Sequence, residues 1–283
     1  MTEVAAIYGF EFTRPFDAAG LHFEPVSSDH ASAKSLARTL DSYNLIGTVS
    51  APSLTSDVLF RLEAVLSFVE HLDVRISHVV NDTEAVLRPH DYFEASAVGG
   101  RRNNGGGAVI GEDTFWREAR PQFIELALKR LADQTYCQDT KFNSLFFKAV
   151  EVYRQRRPFL EISYFLLVSG LEAFARHSLK DFTSKNAATP VVKLLKGYGF
   201  RAFVEHPAEP ARAISTFFHI RNALFHKGEF AATVQTNGSQ ATYGANEYFF
   251  NLSMLVSLTC VKAIGFDDGH INWDCWIDRQ LHC

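Results

Sequence analysis

Arg221, Asn222 and His226 stand close together in the stretch Arg221-Asn222-Ala223-Leu224-Phe225-His226, which Lys227 and Gly228 follow. They end an otherwise apolar run, where packing alone asks for no such groups. A guanidinium matches phosphate oxygens with a planar fork and keeps its charge at any working pH. An imidazole near neutral pH takes a proton from a ribose 2′-hydroxyl or gives one to a leaving oxygen. Asn222 suits the orientation of either the imidazole or the phosphate. The chemistry that fits this set is phosphodiester cleavage with the 2′-hydroxyl as nucleophile. That route requires no metal, and the sequence offers no carboxylate cluster to hold one.

A helix running from Pro210 and stopping at Gly228 places the set. Ile214, Phe217, Phe218, Arg221, Leu224 and Phe225 fall on one side of it by three- and four-residue spacings. Ser215, His219, Asn222 and His226 form a second, polar stripe. His219 and His226 are about 10 Å apart along such a helix, too far to share one metal, so His219 is a supporting residue at most. Arg221 and His226 are five residues apart, which turns them about 140° from each other on an undistorted helix. Both can meet one small group only if the helix ends or bends between them, or if a second copy supplies the other residue.

The neighbouring elements must hold these groups. Residues 159–179 read as a helix apolar nearly all round (Leu160, Ile162, Phe165, Leu166, Leu167, Val168, Leu171, Phe174), which belongs in the centre of a bundle. Glu172 interrupts a face committed to packing and needs a partner, since an unpaired buried carboxylate is very costly. It either reaches solvent at a helix flank or pairs with Arg221 or His226. The preceding helix, through Leu145, Phe146, Ala149, Val150 and Tyr153, ends in Arg154-Gln155-Arg156-Arg157. Arg154, Arg156, Arg157 and Lys227 are candidates for guiding RNA, against the plainer reading of solvated charges at a helix end. Further helices are expected over 115–131 around Pro121, over 190–198 and over 245–264. Asn237-Gly238 favours a tight turn in a hairpin over 233–243.

Upstream, strand candidates at 7–12, 21–26, 45–49 and 74–80 alternate with helix candidates at 32–40 and 56–72, which makes a small α+β domain over 1–98 with no evident catalytic set. The run Gly99-Gly100-Arg101-Arg102-Asn103-Asn104-Gly105-Gly106-Gly107 lacks the GK[ST] ending of a phosphate-binding loop and reads as a linker or loop tip. The expected division is therefore 1–98, a Gly-rich segment over 99–112, and a helical domain over 113–283.

Composition sets outer limits. Hydrophobic residues at 47% and charged ones at 21% argue against disorder, and 25 Phe suggest helices packed through large aromatic rings. A net charge of −4 means that any nucleic-acid contact comes from a local basic patch. The four cysteines are scattered, and His270, Cys275, His282 and Cys283 fit no standard zinc spacing. The opening Met1-Thr2-Glu3-Val4 lacks the features of a signal peptide. The apolar stretches 159–171 and 252–266, broken by Glu161 and Lys262, fall short of a spanning helix. The expectation is a soluble cytoplasmic protein without cofactor or metal.

Arg221-Asn222-x-x-x-His226 resembles the R-x(4–6)-H motif, with its polar residue after the Arg, of HEPN domains. The run from Phe159 to Phe174 is similar to the core helix preceding that motif in the Apea-like HEPN branch, over roughly residues 113–283. The resemblance implies a helical bundle, here with a β-hairpin insertion, that dimerises so that two motifs share one cleft. It implies a metal-independent endoribonuclease leaving 2′,3′-cyclic phosphate and 5′-hydroxyl ends, with Arg221 stabilising the phosphate, His226 as acid–base residue, and Asn222 and Glu172 as helpers. It further implies a toxin or antiviral-defence role, with an antitoxin or regulatory protein as possible partner. The alternative is a non-catalytic HEPN-type module binding RNA, nucleotide or protein.

Overall fold

The computed structural model describes residues 2–29, 31–32, 45–81, 109–112, 116–155, 159–236 and 239–282. The expected helix over 32–40, the Gly-rich segment 99–107, Phe115, Arg156, Arg157, Pro158, the Asn237-Gly238 turn and Cys283 lie outside these. The protein is mainly helical with a small antiparallel sheet.

The first unit contains β1 (Glu3–Tyr8), β2 (Phe16–Ala18), β3 (Leu21–Pro25), β4 (Leu45–Ala51), α1 (Ser56–Glu70), β5 (Arg75–Ile76) and α2 (Ala119–Ala132). Its strands pair antiparallel in the order β2-β3-β4-β1-β5. Ala19 and Gly20 join β2 to β3 with φ of 53° and 77°, as a two-residue hairpin turn requires. Phe12 packs against Phe10, Phe16 and Phe23, and its ring lies where a Cβ on Gly47 would sit. The expected strand 7–12 instead ends at Tyr8, and 74–80 is strand only at Arg75–Ile76 with an isolated bridge from Val80 to Val4. Thr55, rather than Ser56 or Asp57, caps α1, its hydroxyl accepting the Val58 N–H at 3.3 Å.

Helix α2 belongs to this unit, and the division after it falls between Ala132 and Asp133. The sequence placed this helix with the helical domain because its apolar spacing alone does not say which core it faces. Phe123 stacks on Phe68 of α1 at 5.7 Å, and Arg120 pairs with Glu70 at 3.1 Å. Pro121 sits in its first turn, where a missing N–H costs nothing.

The second unit contains α3 (Gln134–Thr140), α4 (Phe142–Arg154), α5 (Leu160–Leu179), α6 (Ala188–Gly197), α7 (Ile214–Lys227), β6 (Ala231–Thr236), β7 (Ser239–Gly244), α8 (Ala245–Ile264) and α9 (Cys275–Asp278). Helix α5 contacts α3, α4, α6, α7 and α8 and is the axis of the bundle. It is not buried all round, because Ile162 and Phe165 are 52% and 36% exposed. The helix expected from Pro210 is two elements: a 3-10 turn over Pro210–Arg212 and α7, separated by Ala213 at φ −87°, ψ 110°. Helix α8 is long and apolar enough to cross a membrane, contrary to the expectation from its interrupted run. That apolarity serves the core, since 78% of the stretch is buried inside the protein.

Candidate functional site

Helix α7 runs unbroken past both chemical groups. Gly228 ends it in the left-handed conformation (φ 68°), and the Gly228 and Glu229 N–H groups close on the carbonyls of Leu224 and Ala223 at 3.1 and 3.2 Å. Neither an end nor a bend separates Arg221 from His226. Their roughly 140° separation therefore stands, and one chain cannot bring both onto one small group.

Arg221 is held from two sides. Its Nη2 lies 3.6 Å from Glu172 Oε2 on α5, and its guanidinium carbon lies 5.4 Å from the centre of the Phe218 ring. Its Nε is buried, and none of the described residues accepts from it. Glu172 is shared: its other oxygen accepts from Arg176 Nε at 2.9 Å. Arg176 also donates from Nη1 to the Asp181 and Ser184 carbonyls at 3.2 and 3.3 Å, tying the carboxylate to the loop after α5. The Ser184 hydroxyl and N–H hold the Asp181 carboxyl down to about 2, and Lys193 adds an ion pair at 3.2 Å. Arg176 went unnoticed in the sequence, although Glu172 and Arg176 have the spacing of an i,i+4 helix pair.

A cleft of about 240 Å³ opens beside Arg221, lined by Phe159, Glu161, Ile162, Phe165, Leu224 and Phe225 as well as the arginine. Phe225 stacks on Phe165 at 5.1 Å and 15°, and four of these residues stand open to solvent: Phe159 at 59%, Ile162 at 52%, Phe165 at 36% and Phe225 at 62%. The helical wheel put Phe225 on the packed side. It instead sits at the rim of that side, where α5 supplies a ring but no cover.

His226 is exposed and presents its ring edge-on to Phe225 at 5.5 Å. Asn222 and Lys227 are exposed, Lys227 within 3.8 Å of Glu229, and His219 is half-buried two turns before His226. Arg154 is half-buried at the end of α4, and Arg156 and Arg157 lie outside the described residues. The structure thus joins Arg221 to Glu172 and leaves Asn222, His226 and Lys227 facing water. Among the described residues no three His, Cys, Asp or Glu side chains are grouped to hold a metal.

Comparison of the chain with protein-family models, curated proteins and solved structures gives no match.

Proposed function

We propose that the protein is a homodimeric, metal-independent endoribonuclease of HEPN type. The observation that carries this reading is an anchored, partly exposed Arg221 and an exposed His226 on one unbroken helix beside an open apolar face. Phe159, Ile162, Phe165 and Phe225 form the kind of contiguous apolar surface that a second subunit covers. Two-fold pairing across it brings the α7 ends of two copies together and supplies each guanidinium with an imidazole from the other chain. Arg221 then binds the phosphate oxygens and stabilises charge as the 2′-oxygen attacks phosphorus. His226 takes the 2′-hydroxyl proton or protonates the departing 5′-oxygen, and Asn222 orients it. The products carry 2′,3′-cyclic phosphate and 5′-hydroxyl ends. The family resemblance adds a setting as a toxin or phage-defence effector.

His226→Ala is expected to lower cleavage of RNA by about 10²- to 10⁴-fold while the dimer persists. Mixing inactive Arg221→Ala and His226→Ala chains should restore cleavage, because a mixed dimer regains one intact arginine and one intact histidine across the cleft. Full activity of the His226→Ala protein, or no cleavage by the wild type, overturns the proposal. A second reading, a non-catalytic RNA-, nucleotide- or protein-binding module, is favoured by the Glu172 contact, which already occupies part of the Arg221 fork. Binding without new RNA ends would support it.

A further inference from the structure

One cation on α4 is not used by that mechanism. Helices α4 and α5 approach so closely at Gly170 that a Cβ there would meet the Leu145 Cα at 3.3 Å, and the Lys148 stem lies over the same glycine with its Cδ 3.4 Å from that position. The stem is thereby covered, and the ammonium ends 3.0 Å from the Ser169 hydroxyl, which donates in turn to the Leu166 carbonyl at 3.2 Å. Among the described residues no carboxylate lies within ion-pair distance of Lys148. Burial lowers its pKa. A half-covered ammonium whose only partner among the described residues is a hydroxyl gains more from a bound anion than a solvated one does.

The charge around it has one sign in excess. Ser169, Glu172 and Arg176 share one side of α5 by their three- and four-residue spacings, and neighbours at such spacing have Cβ atoms about 5–6 Å apart. Lys148, Arg176 and Arg221 reach this side from three elements; Glu172 pairs with the two arginines, and Glu151, exposed and three residues after Lys148 on α4, is not ion-paired with it among the described residues. Asp181 is already engaged by Ser184 and Lys193, and Glu161 lies at the apolar end of the cleft, about 12 Å back along α5. The open side of α5 is therefore apolar in its first half and cationic in its second.

Building on the endoribonuclease reading, we propose that Lys148 and Ser169 form a second phosphate-binding position, which holds a phosphodiester of the substrate strand next to the one cut at Arg221. A compact ammonium suits one phosphate oxygen without reading base identity, and the Ser169 hydroxyl, its proton engaged by the Leu166 carbonyl, accepts from the ammonium and holds it in place. The position is then an affinity element of the RNA path and leaves the bond-breaking step to Arg221 and His226.

A single-stranded oligonucleotide that is 2′-O-methylated throughout cannot be cleaved by 2′-hydroxyl attack and reports binding alone. Lys148→Met keeps the stem over Gly170 and removes the charge. It is expected to weaken binding of this probe roughly tenfold, to a similar extent for different base sequences. It should also flatten the slope of log affinity against log salt by about 0.7, the loss of one phosphate contact. Lys148→Arg should keep the wild-type slope, and Ser169→Ala should weaken binding without changing it. An unchanged slope in Lys148→Met, or no binding of the probe by the wild type, overturns the phosphate position. Probe binding with the expected slope but uncut natural RNA leaves this position standing and removes the ribonuclease. Cleavage with an unchanged slope does the reverse.

Discussion

Two arginine–glutamate pairs, one in each unit, put the same two side chains to opposite uses. Arg120 and Glu70 lie 3.1 Å apart with only 3% and 10% of their side chains exposed. Arg120 also donates to the Glu11 carbonyl and lies over the Phe10 ring at 5.1 Å. Arg221 and Glu172 lie 3.6 Å apart at 24% and 23% exposure, and Arg221 lines an open cleft. In the first pair the guanidinium is enclosed by acceptors and a ring, and its charge serves to hold α2 on α1. In the second the carboxylate is divided between two guanidiniums, so neither charge is cancelled and one remains turned toward water. Enclosure separates a structural ion pair from one available to a ligand. The same residue types and near-equal distances do not.

Breaking the sealed pair should have the largest effect. Arg120→Met removes the cation from beside the buried Glu70 carboxylate, which still accepts the Glu11 N–H, and is expected to cost about 3–5 kcal/mol in denaturant unfolding. A loss below about 1 kcal/mol would mean that the Phe68–Phe123 stack alone secures α2.

Acid should expose the dryness of the same layer next. His71, wholly buried at the end of α1, has its pKa pushed down by burial from 6.5 to about 3. The folded chain keeps this imidazole neutral while the unfolded chain protonates it below about pH 6.5. The contribution to stability is thus present above that pH and lost as pH falls toward 3, at about 1.4 kcal/mol per pH unit. Replacing it with Asn, which tolerates the left-handed backbone at φ 52°, should flatten the stability curve between pH 6 and pH 4. A curve of unchanged slope would show that His71 is protonated in the fold.

The half-open pair should respond in activity rather than stability. Glu172→Gln is expected to cost about 1 kcal/mol or less in unfolding, yet to lower RNA cleavage about tenfold by freeing Arg221 to swing. A stability loss as large as that of Arg120→Met would return Arg221 to the structural class. The smallest effect falls on Asn222→Ala, within about 0.5 kcal/mol in unfolding because the side chain is exposed. A small drop in cleavage would set it apart from a surface residue with no role.

The helices of the second unit were largely readable because their apolar residues recur at three and four over long spans. The last long helix was expected at 245–264, and α8 spans Ala245–Ile264. The strands were read less evenly: those expected at 21–26 and 45–49 are β3 and β4, whereas those expected at 7–12 and 74–80 differ from β1 and β5. Tyr8 ends β1 at Gly9 and Arg75–Ile76 is only two residues long, and such lengths are set by pairing partners distant in sequence. Helix α2 was read as a helix but assigned to the wrong core, since a wheel shows that a face is apolar and not what covers it.

The local sequence determined that Arg221 and His226 share one helix, that five residues turn them apart, and that Gly228 closes the helix after both. Those properties follow from backbone periodicity and a single left-handed position. Only the tertiary structure decided that Glu172 meets Arg221, that Phe165 and Phe225 stack in the open, and that Lys148 reaches Ser169 over Gly170. Each of these contacts joins side chains on different helices or fixes which way a helix faces. Neither the helical period nor the identity of a single residue carries that information.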